Sequence, residues 1–158
     1  MKPVYLLLLS VFFSSCAATH YIYIVRHAEK KDNTPYSVLS PAGHERAAAL
    51  RDKLSDKNIG VIYATTFQRT QETAQPLATA LNLPLSIYRN NAVDSIVKIV
   101  KAIKNKNILL VGHSGNIPSI IKGLTGQSVD PIDENVYNNL YIIKTKKEKS
   151  RLIHEKYD

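Results

Sequence analysis

Two histidines and two arginines each stand just past a short apolar run, in parts of the sequence that lie far from one another. Arg26-His27 follows residues 21–25, Thr65-Thr66-Phe67-Gln68-Arg69-Thr70 follows residues 61–64, and Gly112-His113-Ser114 follows residues 108–111. A neutral imidazole can attack phosphorus in line and hold the phosphoryl group as phosphohistidine, which splits one hard displacement into two easier ones. Guanidinium groups offer planar forks of donors that match phosphate oxygens better than an ammonium does. These residue types therefore point to phosphoryl transfer. His27 is the expected nucleophile, while Arg26, Arg69 and His113 hold the phosphoryl oxygens and the charge that moves during transfer. Neighbouring cations favour the uncharged imidazole, which keeps its attacking lone pair free.

The elements that must position these groups follow from periodicity and punctuation. Residues 21–25 read as a strand and residues 30–36 as a polar loop. Ser40 is placed to cap a helix with Pro41 in its first turn and Ala47, Leu50 and Leu54 on one face, ending at Asn58-Ile59-Gly60. Residues 61–64 form a second strand, and Thr65 or Thr66 caps a helix running to about Leu81. Residues 85–88 make a third strand. Asn91 caps a helix over residues 92–104, with Val93, Val97, Val100 and Ile103 inward. Residues 108–111 are uniformly apolar, as in a strand covered on both faces. A short helix with Pro118 in its first turn ends near Gly123, and strand-like runs at 136–145 and 151–157 flank a Lys-Glu-Lys-Ser turn. Strands alternating with helices predict an α/β fold, a three-layer α/β/α arrangement with a largely parallel central sheet. Ligands of such sheets bind beyond the carboxyl ends of the strands, where His27, Arg69 and His113 would meet.

Together with Leu39-Ser40-Pro41-Ala42-Gly43 at a helix start, these motifs closely resemble the histidine phosphatase superfamily, also called the phosphoglycerate-mutase-like family, from about Tyr21 to the C-terminus. The resemblance implies a phosphatase that needs no cofactor and acts on a small phosphorylated substrate or a phosphohistidine protein. It maps the family's Arg-His pair on Arg26 and His27, its second arginine on Arg69 and its second histidine on His113. Asn33 falls where many members place an asparagine against the phosphoryl group. Ala28 stands where the family usually has glycine. The larger mutases carry long insertions that are missing here, so the similarity is to compact phosphohistidine phosphatases. The segment Pro131-Ile132-Asp133-Glu134 with Tyr137-Asn138-Asn139-Leu140 is similar to a subgroup of short secreted relatives, and no chemical role attaches to it from sequence.

A leaving alcohol needs a proton, and two carboxylates are candidates to give it. Asp94 follows the second arginine segment, where members commonly carry the acid, and its plain alternative is to stabilise a helix start. Glu29 adjoins the motif, and its alternative is an ion pair. His20, His44 and His154 have no comparable context and are expected at the surface or on a helix face. No acidic cluster accompanies the histidines, so no metal site is expected.

The chain has 158 residues, of which 44% are hydrophobic and 22% charged, suited to one soluble domain with a real core. Its formal charge of +8 favours anionic partners, yet many of the positive groups (Lys144, Lys146, Lys147, Lys149, Arg151 and Lys156) fall in the C-terminal tail. That pattern reads as a solvated hairpin, with no stacking aromatics to suggest nucleic-acid binding. The single cysteine excludes an intrachain disulfide. It follows Lys2, the apolar residues 4–13 and Ser14-Ser15, which reads as a signal peptide over residues 1–15. This start resembles the lipobox of bacterial lipoproteins, with Cys16 acylated, residues 16–19 as a short tether and residues 20–158 as the single domain. The expected place is the bacterial cell envelope, with the domain exported and held to a membrane through Cys16. A non-catalytic envelope lipoprotein that binds a phosphorylated ligand is the rival reading.

Overall fold

The computed structural model describes residues 19–147 and 149–158; the expected signal peptide, Cys16 and most of the tether lie outside the described residues. Six strands form one sheet in the order β3-β2-β4-β1-β5-β6. The strands are β1 (His20–Arg26), β2 (Ile59–Thr65), β3 (Leu85–Tyr88), β4 (Asn107–Gly112), β5 (Asn139–Lys146) and β6 (Lys149–Lys156). The pairs β1–β4, β2–β4 and β2–β3 are parallel, whereas β5 runs antiparallel to both β1 and β6. The helices are α1 (Pro41–Leu54), α2 (Gln68–Ala80), α3 (Val93–Ala102) and α4 (Ile117–Thr125).

Alternation along the strands explains the three layers. In β1, Tyr23 and Val25 pack with Leu50 and Leu54 of α1 and Ala74 and Leu77 of α2. Ile22 and Ile24 face the other way, onto Ile96 and Val100 of α3 and Ile120 and Ile121 of α4. Period-2 side-chain placement thus feeds two cores from one strand. The fold is the α/β/α arrangement expected from sequence.

Local departures have local causes. Ser40 does cap α1, its side chain accepting from the Gly43 amide at 3.1 Å, and Ala47, Leu50 and Leu54 are buried. Asn91 does not cap α3: the helix starts at Val93 after Ala92, with no side-chain cap. Its fully buried residues are Ile96 and Val100, so the stripe is rotated from the expected one, and Ile103 is already extended at φ −77, ψ 121. Thr65 is the last residue of β2 rather than a cap, and Phe67 precedes α2 without a side-chain cap. Asn58 (φ 50) makes the turn before β2, which begins at Ile59 instead of ending the preceding unit there. β5 starts at Asn139, three residues later than expected, because residues 136–138 are used elsewhere.

Candidate active site

The parallel ladder between β1 and β4 brings the two histidines together. Arg26 is in register with Gly112, and the ladder is extended by the His27 amide donating to the Gly112 carbonyl at 3.0 Å. His27 and His113 are therefore the next residues on adjacent strands, both at the carboxyl ends, with ring centroids 5.2 Å apart. Gly112 has to be glycine for a packing reason. A Cβ there would lie 2.7 Å from Asn116 Oδ1 and 3.1 Å from Ile117 Cγ1.

Hydrogen bonds set the state of each ring. His27 Nδ1 is 2.8 Å from the carbonyl oxygen of Ala28, which can only accept, so Nδ1 carries the proton and Nε2 the lone pair. The Ala28 amide donates in turn to Thr73 Oγ1 at 2.9 Å, and the Thr73 hydroxyl donates to the Arg69 carbonyl at 2.7 Å. A helix α2 side chain thus braces the backbone beside His27. His113 Nε2 lies 2.9 Å from Thr65 Oγ1, which is 2.8 Å from Thr70 Oγ1. The Thr70 hydroxyl donates to the Phe67 carbonyl at 2.6 Å, so it accepts from Thr65, and Thr65 accepts the Nε2 proton of His113. Backbone contact fixes the other side: the His113 amide donates to Asn116 Oδ1 at 2.9 Å.

Electrostatics keep both imidazoles uncharged. Burial pushes His27 down to about 3; His113, Arg26 and Arg69 add to this, while the Ala28 carbonyl opposes it. His113 falls to about 4, again from burial first and then from Arg69 and Arg26. Arg26 is almost fully buried, and its Nη1 donates to the carbonyls of Glu134 at 2.7 Å and Asp133 at 3.1 Å. Its guanidinium lies over the Tyr137 ring, 4.3 Å from the centroid, and that ring is also 6.0 Å from His27. Arg69 stacks on Phe67 at 4.4 Å and donates through Nη1 to the Pro35 carbonyl at 2.8 Å. The Nε–H of Arg26 and the Nε–H of Arg69 are both buried and have no partner among the described residues. Buried donors are normally satisfied; two unpaired guanidinium donors beside two neutral imidazoles have the chemistry that an oxyanion's oxygens would accept from.

The remaining sequence candidates sit apart from this cluster. Asn33 is exposed, and its Oδ1 accepts from Lys30 at 3.2 Å. Glu29 Oε1 accepts from Arg46 Nε at 2.7 Å in a half-buried ion pair. Asp94 is exposed in the first turn of α3, its helix-start position. His20 is buried, not superficial, because β1 starts one residue earlier than expected. Cys16 lies outside the described residues. No group of His, Cys, Asp and Glu that could hold a metal occurs among the described residues, and no helix among them is long and apolar enough to cross a membrane.

Sequence reasoning missed Thr65, Thr70, Thr73, Asn116 and Tyr137. Sequence places a cap at Thr65 or Thr66 and Tyr137 in a segment without a chemical role, so the hydroxyls of the strand-to-helix junction and that segment are the signals that could find them.

Comparison with known proteins is consistent with this geometry. The family model described as histidine phosphatase superfamily (branch 1) matches residues 22–92. The uncharacterised Mycobacterium tuberculosis protein Rv0525 is 38% identical over 69 residues, which cover 39% of this chain and 34% of that one. This chain thus spans about a third of the length of that curated relative. Among solved structures, the protein histidine phosphatase SixA complexed with tungstate superimposes with TM-score 0.70 at 14% identity, covering 86% of this chain and 96% of that one. Mycobacterial glucosyl-3-phosphoglycerate phosphatase Rv2419c gives 0.68 at 11% identity over 89% and 99%. Bacillus stearothermophilus YhfR gives 0.70 at 16% over 86% and 96%. At these identities the structural likeness speaks to the fold.

Proposed function

We propose that this chain, whose residues 22–92 match the histidine phosphatase superfamily (branch 1) model, is a metal-independent phosphatase that hydrolyses phosphomonoesters, or phosphohistidine, through a covalent phosphohistidine on His27. The observation that carries this reading is the tautomer of His27: with Nδ1–H engaged by Ala28, the nucleophilic lone pair is confined to Nε2.

In the first step a phosphoryl group accepts from the free Nε–H donors of Arg26 and Arg69. His27 Nε2 attacks phosphorus, and the P–N bond forms as the bond to the leaving oxygen breaks. The arriving negative charge raises the proton affinity of His113. With Nε2–H held by Thr65, this ring takes a second proton at Nδ1, brought by the substrate monoanion, and donates it to a phosphoryl oxygen. The leaving oxygen takes its proton from Asp94, our proposed acid, or from Glu29 as the alternative. In the second step water attacks phosphorus and gives its proton to the carboxylate that Asp94, or Glu29, left in the first step; the P–N bond breaks, and inorganic phosphate leaves with His27 and the acid restored.

Asn33 is proposed to swing toward the phosphoryl group from the loop that Pro35 ties to Arg69. Export and anchoring through Cys16 are part of the same proposal, supported by the sequence pattern of residues 1–16. A non-catalytic phosphate-binding lipoprotein is the second reading, favoured by the exposure of Asp94 and the engagement of Glu29 by Arg46. Turnover of p-nitrophenyl phosphate separates them, because that leaving group needs no acid. The proposal expects turnover that survives chelators and is inhibited by tungstate or vanadate, which resemble the oxyanion or its five-coordinate form. Binding of tungstate without turnover supports the second reading.

A further inference from the structure

The end of the sheet opposite the catalytic pair carries a second cationic cluster. The 7 residues of β1 run from His20 to Arg26, so at about 3.3 Å per residue the two ends are roughly 20 Å apart. At the His20 end lies a cavity of about 370 Å³. Lys101 and Lys104 reach it from the end of α3 and Lys147 from the β5–β6 turn, with the hydroxyl residues Thr145 and Ser150 between them. His20 lines it too and is in register with Thr145 across β1–β5. Burial, then the charge on Lys104, holds the His20 imidazole below its ordinary range, so the positive charge of the cluster is that of its three lysines.

Further cations stand in the adjoining hairpin, on the strand positions that alternate with Thr145 and Ser150. Lys144 lies opposite Arg151 and Lys146 opposite Lys149 in the hairpin, with all four exposed. Among the described residues none of Lys101, Lys104, Lys144, Lys146, Lys147 or Lys149 forms an ion pair; the pairs present involve Arg46, Arg51, Lys53 and Lys57. Glu148, which lies outside the described residues, offsets one charge in the hairpin turn. An unneutralised basic rim costs stability by self-repulsion, and an anion relieves that cost. Hydroxyls and lysines around a cavity are donors for phosphate oxygens, while Ile22 and Leu124 on its wall suit the less polar part of an amphiphile.

Chain path selects the ligand. Thr19 joins β1 at this rim, so residues 1–18, with their apolar stretch at 4–13, are attached here and not beside His27. We propose that this basic pole is a membrane-facing site that takes the phosphate of an anionic phospholipid headgroup and leaves the catalytic end turned to solvent. Juxtamembrane lysines near an anionic surface contribute about fivefold each in affinity, falling with salt. A basic patch is also the second signal that a single lipid chain needs for stable attachment.

The test uses the full chain and vesicles of phosphatidylglycerol or phosphatidylcholine. The N-terminal segment is common to every sample, so the difference between the two vesicle types reports on the pole. Wild type is expected to prefer phosphatidylglycerol, with the preference shrinking as NaCl rises. A Lys101→Gln, Lys104→Gln, Lys147→Gln triple variant should lose roughly a hundredfold of that preference, keep its melting temperature and bind phosphatidylcholine as wild type does. The corresponding Lys→Arg triple should retain it. Equal binding of wild type to both vesicles, or an undiminished preference in the Gln triple, overturns the proposal. So does displacement from the vesicles by millimolar glycerol phosphate, which would mark a site for soluble phosphate, or by duplex DNA at equal phosphate, which would mark a nucleic-acid surface. The readout is independent of turnover, so its failure leaves the catalytic reading untouched.

Discussion

Tyr137 lies beneath the guanidinium of Arg26, 4.3 Å from ring centroid to Cζ, while the carbonyls of Asp133 and Glu134 grip the Nη1 of the same group. The loop before β5 thus fixes an arginine at the end of β1, and the buried Nε–H of Arg26 is left without a partner among the described residues. Preorganised donors are worth most when they do not have to reorganise during reaction.

Removing the ring should loosen that arginine. Cation–π stacking is worth about 0.5–2 kcal/mol, so Tyr137→Leu is expected to lower kcat/KM for an aryl phosphate by roughly tenfold, whereas Tyr137→Phe should stay within about twofold. Steady-state kinetics on both variants, with melting temperatures alongside, check this. Equal loss in the two variants would assign the effect to the hydroxyl instead of the stacking.

The Thr65 hydroxyl orients His113 from 2.9 Å away. Thr65→Val keeps the shape of the side chain but strands a buried imidazole N–H, a loss of about 1–3 kcal/mol. The expected result is a drop of roughly tenfold or more in kcat with KM little changed, and recovery in Thr65→Ser. A variant that melts lower yet turns over normally would make Thr65 structural only.

Both imidazoles are buried neutral, at about 3 for His27 and about 4 for His113. The unfolded chain binds these protons near pH 6.5, the folded chain only at the lower values. Between those limits the unfolded state holds more protons, so stability rises with pH. It is fully present above about pH 6.5 and lost as pH falls toward 3. Melting temperature should fall across that window in wild type and more shallowly in His27→Gln. Activity on an uncharged-site basis should likewise lack a histidine limb between pH 5 and 7, with the acid limb appearing near pH 4.

Asp94 and Glu29 are separable by leaving group. General-acid help is worth roughly 10²–10⁴-fold when the leaving alcohol is poor. Asp94→Asn is expected to slow hydrolysis of an alkyl phosphate by at least about a hundredfold while sparing p-nitrophenyl phosphate. Glu29→Gln should mainly lower stability, since it breaks the pair with Arg46. Should Asp94→Asn affect both substrates alike, its role is the first turn of α3 and the acid lies elsewhere.

How far these features could be read from sequence depended on what each residue uses. Ala47, Leu50 and Leu54 bury a helix face, and periodicity alone reveals that. The uniform run in β4 likewise announces a strand covered on both sides. Sequence assigns a cap to Thr65 or Thr66 because hydroxyls at strand-to-helix junctions usually cap; the partner of Thr65, His113, is 48 residues away, and only the β2–β4 pairing brings them together. The segment at 131–140 had no readable role because it acts on Arg26 through backbone carbonyls, which every residue has. Asn91 failed as a cap because the buried stripe of α3 centres on Ile96 and Val100, and that packing sets where the helix begins.

The central claim is that His27 Nε2 becomes phosphorylated. Rapid quench with a ³²P-labelled phosphomonoester, followed by peptide mapping, measures it most directly. The expected label is lost in acid, is stable in alkali, and sits on the peptide containing His27, with no label and no turnover in His27→Ala. Label on another residue, or wild-type turnover by His27→Ala, would contradict it.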